Sequence, residues 1–165
     1  MSGTQRSSGA PEDQAAATAI AALYRDDAAS KALGMQIIES GMGRATVRMA
    51  VREDMLNGHR VCHGGMVFAL ADSAFAFACN SRGESALAAA GSIDFLLSAG
   101  AGDTLTASAV EVWRGGRSGL TEVTVTNQKG ERVALFRGRS AMVRPAAERP
   151  AVARPSTDGP GAGPK

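Results

Sequence analysis

The chain has 165 residues, 44% of them hydrophobic, which suits one domain with a sizeable core. Its net charge of +2 is too small for the electrostatic footprint of a nucleic-acid binder. Cys62 and Cys79 cannot build a disulfide scaffold, the polar N-terminus lacks the order of a signal peptide, and no uncharged apolar run reaches the ~18 residues that span a bilayer, so a cytoplasmic protein without membrane or nucleic-acid partners is expected.

All six prolines lie outside 12–144, and proline is poorly tolerated inside helices and central strands. The gap marks one folded domain over 14–144. Residues 145–165 are rich in Pro, Ala, Gly and Arg with little to bury, and read as a disordered tail. Residues 1–13 read the same way. From 14 to 33, Ile20, Leu23, Tyr24 and Leu33 stand among alanines in an amphipathic helical pattern closed by Gly34. Residues 35–40 and 44–51 flank Gly41-Met42-Gly43, which predicts a hairpin. In its second arm Ala45, Val47, Met49 and Val51 alternate with Arg44, Thr46 and Arg48, so one face is wet. A polar loop follows over 53–63, then a helix over 64–80. Four strands are predicted at 86–98, 103–114, 118–127 and 131–143, with turns at Gly115-Gly116 and over 127–130. One long helix interrupting a mostly antiparallel sheet argues for an α+β fold, the sheet curved around the helix.

The 64–80 helix is apolar almost all round, and a helix without a polar face is buried on most sides. Asp72 is the ionisable group in its middle. Burial without a partner is costly for a carboxylate and raises its pKa. Asp72 is therefore either a capping or hydrogen-bonding group for a neighbouring loop, or a general base or nucleophile. At the helix start, His63-Gly64-Gly65 brings two glycines that let a ligand approach the backbone. The first-turn N–H groups lack helical partners and carry the positive end of the dipole, as an oxyanion hole requires. The plainer reading is a glycine-rich turn. A P-loop is excluded, because no Gly-Lys-Ser/Thr follows. Eight residues separate Gly64 from Asp72, roughly 12 Å along a helix axis. One small reacting group cannot touch both. If both serve one site, they come from two chains with antiparallel helices, which hints at a dimer with two shared sites.

His59, Cys62, His63 and Cys79 match no metal-ligand spacing, so no metal is expected. Cys62 and His63 are adjacent and point apart on extended chain, which disfavours a nucleophile pair. Ser73 lacks the Gly-x-Ser-x-Gly context of an elbow nucleophile.

The stretch from Asn57-Gly58-His59 through Cys62-His63-Gly64-Gly65-Met66 to Asp72-Ser73-Ala74 resembles the hotdog-fold acyl-CoA thioesterases, in particular the phenylacetate-degradation (PaaI-type) branch. The resemblance runs from about Ala22 to Val143. It includes Ser92-Ile93-Asp94-Phe95-Leu96, Gly102-Asp103-Thr104-Leu105 and Ala134-Leu135-Phe136-Arg137-Gly138. It implies the hotdog fold and a homodimer with two composite sites, in many members a dimer of dimers. The implied reaction is hydrolysis of an acyl-CoA thioester, phenylacetyl-CoA or a hydroxylated aryl-acetyl-CoA in this branch, to free acid and CoA. It implies that Gly64 N–H polarises the carbonyl while Asp72 of the other chain attacks it or activates a water. Asn57 would place water or thioester, His63 would orient the loop, and Ser92 falls where the family often carries a hydroxyl near the attacking water. A thioester is already activated, so the chemistry asks for no metal or redox cofactor.

Arg137 and Arg139, at i, i+2 on one strand face, are candidates for the CoA phosphates beside Arg114 and Arg117; ordinary surface arginines are the alternative. Gly65 and Phe68, with Met66, Phe75 and Phe77, are candidates to line the substrate pocket, though phenylalanines on a buried helix are more often core. Two rival functions remain at this level. One is a non-catalytic acyl-CoA binding or sensing module on the same fold. The other is a dehydratase or hydratase, disfavoured because no second His-plus-acid pair is in view.

Overall fold

The structure, a computed structural model, describes residues 11–143. The disordered tails expected at 1–13 and 145–165 lie outside the described residues, with three exceptions. Pro11, Glu12 and Asp13 belong to the first helix, α1 (Pro11–Arg25). Asp13 ties that helix to the hairpin: its carboxylate accepts from Met42 N–H at 3.0 Å and from Arg44 Nη2 at 2.6 Å. Those bonds, the Met42 amide first, hold its pKa below the ordinary carboxylate value.

The single helix expected over 14–33 is two. A break at Asp26-Asp27 separates α1 from α2 (Ala28–Ala32). Asp27 leaves helical geometry at φ −85°, ψ 88° and caps α2, accepting from Ser30 N–H at 2.9 Å and Ser30 Oγ at 2.6 Å. An N-capping aspartate starts a helix more readily than it continues one. Strands β1 (Gln36–Gly41) and β2 (Arg44–Ala50) form the hairpin, turning through Gly43 at φ +69°. A single 3-10 turn at Glu53–Met55 leads through the polar loop to α3 (Gly64–Asn80). Strands β3 (Ala86–Phe95), β4 (Thr104–Gly115), β5 (Ser118–Thr126) and β6 (Arg132–Met142) complete the chain. β3 stops three residues short of the expected 98, because Leu96 and Leu97 N–H both turn onto Val133 O, at 2.8 and 3.2 Å.

The six strands make one antiparallel sheet in the order β1-β2-β4-β5-β6-β3. It curves around α3, the α+β hotdog architecture that the resemblance implied. Inward residues of β2, β4, β5 and β6, among them Val47, Leu105, Val123 and Phe136, meet Leu70, Ala74 and Phe75 of the helix. Phe136 is the hinge of this packing, set edge-on to Phe68 at 5.3 Å and tilted against Phe75 at 5.9 Å. The close approach needs a bare backbone at Gly138, where a Cβ would come within 2.7 Å of Phe75 and 2.8 Å of Phe136. No helix among the described residues is long and apolar enough to cross a membrane.

Gly138→Ala is expected to lower stability by about 1–3 kcal/mol, the usual cost of overpacking a close-packed core. Denaturant unfolding of both proteins measures it, and an unchanged midpoint would show that the two rings move aside freely.

Candidate active site

Before α3 the chain makes a tight loop closed by a bridge between Leu56 and Cys62. Asn57 holds it: its Oδ1 accepts from His59 N–H at 2.9 Å and Val61 N–H at 3.3 Å, and its own N–H donates to Val61 O at 2.8 Å. The turn forces Arg60 into left-handed backbone at φ 60°. Asn57 Nδ2 has no partner among the described residues and remains free to donate. The loop is anchored at both ends, His63 N–H to Met55 O and Cys62 N–H to Ala99 O, each at 2.8 Å.

His63 caps α3. Its Nδ1 accepts from Gly65 N–H at 2.9 Å, which needs a neutral imidazole protonated on Nε2. Its carbonyl accepts from Met66 N–H at 2.8 Å. These bonds use up the neighbouring donors and leave Gly64 N–H without a partner among the described residues. Beside it opens a cleft of about 340 Å³ between Val61, Val67, Phe95, Leu97 and Ala99. A free, dipole-favoured donor at the edge of an apolar cleft is suited to a carbonyl oxygen gaining negative charge.

Two turns along the helix, Asp72 is half-buried and makes no hydrogen bond or ion pair among the described residues. Burial pushes its pKa above the ordinary carboxylate value, which favours proton-accepting chemistry nearer neutral pH. It lies on an open stripe with Gly65, Ala69 and Ala76 that the sheet does not cover. Ser73, one residue on, bonds Ser30 Oγ at 2.9 Å and so links α2 to α3.

Other expected residues sit elsewhere. A Cβ on Gly91 would meet Phe136 and Phe68, so Gly91 faces the helix and Ser92 faces the opposite side of the sheet. Ser92 is thus separated from Gly64 and Asp72 of its own chain. It borders a shallow cavity of about 320 Å³ with Asp94, Glu122 and Arg137. Arg137 forms an ion pair with Glu122 there, and with Asp94 alongside the surroundings are net acidic, unfavourable for a phosphate. Arg139, exposed on the same face, has no ion pair among the described residues. Arg114 is held by Glu84 and Glu111, and Arg117 donates to Met142 O at 2.9 Å. Phe75 and Phe77 are fully buried and are core, whereas Phe68 packs edge-on to Phe136 and stays partly exposed. Gly65, exposed, has its N–H engaged by His63. No group of three or more possible metal ligands occurs among the described residues. The cleft wall from Phe95 to Ala99 was missed in the sequence, where it reads as the end of an apolar strand.

Residues 59–134 match the model of the family described as the thioesterase superfamily. The chain is 52% identical over 119 residues to the acyl-coenzyme A thioesterase PaaI of Escherichia coli, covering 72% of this chain and 85% of that protein. The solved structure of the E. coli PaaI protein, from the phenylacetic acid degradation operon, superposes with a TM-score of 0.79 at 47% identity, over 81% of this chain and 96% of that one. A Streptococcus mutans protein solved with acetyl CoA superposes with a TM-score of 0.64 at 29% identity, over 66% of this chain and 88% of that one.

The raised pKa of Asp72 fixes the sign of a stability effect. The native state holds the Asp72 proton more tightly than the unfolded state, so this contribution to stability is full below the unfolded pKa and lost as pH rises through the native one. Asp72→Asn is expected to melt higher than wild type at pH 7, with the gap closing in acid; a variant less stable at every pH would mean that Asp72 holds structure. His63→Ala, which removes the cap, is expected to cost about 1 kcal/mol in thermal unfolding, largely restored in His63→Asn.

Proposed function

The chain belongs to the thioesterase superfamily, and from that premise we propose that it hydrolyses acyl-CoA thioesters, with phenylacetyl-CoA or a ring-hydroxylated aryl-acetyl-CoA as the substrate. The observation that carries the reading is the pair of unsatisfied groups on α3: a free Gly64 N–H at its start and an unpartnered Asp72 roughly 12 Å along its axis. The thioester oxygen accepts from Gly64 N–H of one chain. Asp72 of a second chain takes a proton from water while the water oxygen bonds to the carbonyl carbon, or it attacks that carbon itself to give an acyl-aspartyl anhydride that water then hydrolyses. The C–S bond breaks, and the CoA thiolate leaves and takes up a proton. Asn57 Nδ2 donates to the water or the thioester, while His63 keeps the loop and the first turn in place.

The same reading makes the protein a homodimer, and a dimer of dimers. Three features support assembly. β3 lies at the sheet edge with one side of its backbone unpaired. Leu87 on that strand is exposed. The open stripe on α3 is built of small residues that allow a second helix close approach. Arg139 is the better candidate than Arg137 for a CoA phosphate, since Arg137 is already neutralised by Glu122. The site is cytoplasmic, where CoA esters are made and used.

The test is thiol release from a panel of aromatic and aliphatic acyl-CoAs, with wild type and Asp72→Asn side by side and light scattering to record the oligomer. Wild-type turnover that falls by about 10²–10⁴-fold in Asp72→Asn, with fold and oligomer kept, is expected. The acid limb of the wild-type pH profile should lie above the ordinary aspartate pKa. Tight binding of acyl-CoA without turnover would instead identify a binding module. A single turnover in heavy-oxygen water tests for the nucleophilic role of Asp72: label in the Asp72 carboxylate identifies an acyl-aspartyl anhydride opened on the aspartyl carbon, whereas a base sends label to the free acid and none to Asp72.

A further inference from the structure

The reaction scheme leaves one part of the cleft unused, the ring of Phe95. Phe95 closes β3 and pairs with Ala134 on the last rung of the ladder. Its ring rests on Gly64: a Cβ there would stand 3.0, 3.4 and 3.5 Å from three ring carbons. The residue whose N–H is free is therefore the residue that this ring covers. Even so, Phe95 is 55% exposed.

The walls beside the ring are fixed. Leu96 and Leu97 are held by Val133 O, and Ala99 O accepts from Cys62 N–H. The Phe95 side chain is the adjustable element at the mouth, since it turns about its own torsions without breaking a backbone bond. Around it the cleft is apolar; Ser98 brings the one hydroxyl. A ring on a strand end, exposed on one side and laid against the residue that carries the free donor on the other, is placed to touch whatever is attached to the carbonyl that the donor binds.

Resting on the acyl-CoA reading of this site, we propose that Phe95 is its specificity-determining gate: the ring packs against the acyl group whose carbonyl meets Gly64 N–H, and its bulk limits the size of that group. An aryl-acetyl group fits such a contact, because two rings pack well offset or edge to face. A larger fused ring system meets the gate instead.

Wild type, Phe95→Ala and Phe95→Leu are compared on acetyl-, hexanoyl-, phenylacetyl- and naphthylacetyl-CoA by thiol release. Kd is measured in parallel for the matching non-hydrolysable CoA thioethers, with light scattering for the oligomer. Phe95→Ala is expected to raise kcat/KM for naphthylacetyl-CoA relative to phenylacetyl-CoA by about tenfold, with KM for phenylacetyl-CoA increased, and Phe95→Leu to fall between. The thioether Kd values should follow the same order. A uniform change across all four substrates, or loss of the native oligomer in both variants, would overturn the gate. Hydrolysis with unchanged selectivity overturns the gate and spares the thioesterase reading. A wild type that hydrolyses nothing, while its thioether Kd values still reorder in Phe95→Ala, overturns the thioesterase reading and spares the gate.

Discussion

Helix α3 carries a single carboxylate and no basic side chain in 17 residues and cannot be left in water, yet its own sheet covers only part of it. The covered part is set by aromatic packing. Phe75 and Phe136 meet over the bare backbone of Gly138, and Phe68 completes the cluster above Gly91. That packing fixes the helix on the curved sheet. It therefore decides where the N-terminus of α3 emerges, against the 95–99 segment, and which stripe stays open. Gly64 and Asp72 owe their positions to the contacts of the opposite helix face.

At the N-terminus the decisive point is which donors are used. A helix start leaves its first N–H groups without helical acceptors. His63 N–H reaches Met55 O, Gly65 N–H reaches His63 Nδ1, and Met66 N–H reaches His63 O. One residue thus supplies both its side chain and its carbonyl to the first turn, and Gly64 is left over. A serine or aspartate cap would hold the helix as well. The histidine adds an exposed, flat side chain beside the free donor without placing a negative charge next to a developing oxyanion.

Much of this was legible in the sequence because it follows from periodicity and composition. The apolar run of α3, the alternation of β2, the glycines of the hairpin and the His63-Gly64-Gly65 entry all declare themselves locally. What failed to show depends on long-range geometry. The α1–α2 break turns on whether Asp27 caps or continues a helix, which the Ala-rich flanks do not decide. The face that Ser92 takes is one such feature: Gly91 points to the helix, so Ser92 lies on the other face of the sheet. Arg137 reads in the sequence either as a phosphate ligand or as an ordinary surface arginine, and its ion-pair partner across the sheet, Glu122, is fifteen residues away in sequence. The cleft wall at Phe95 to Ala99 looks like any strand end until Leu96 and Leu97 are seen to turn onto Val133.

The position of Asp72 links chemistry to assembly. Half-buried in one chain, it already holds its proton more tightly than an ordinary aspartate. In the proposed dimer, a second chain laid over the Gly65, Ala69, Asp72, Ala76 stripe would remove more water and raise the pKa further. By linkage, ionisation of Asp72 then opposes the association that shields it. The proposed dimer would therefore draw its strength from elsewhere, from the unpaired edge of β3 and the apolar side chains beside it, while the stripe would provide close fit more than affinity. In the proposed dimer the carboxylate would weaken the surface on which it lies, and meeting the Gly64 N–H of a second chain is what would make that weakness useful.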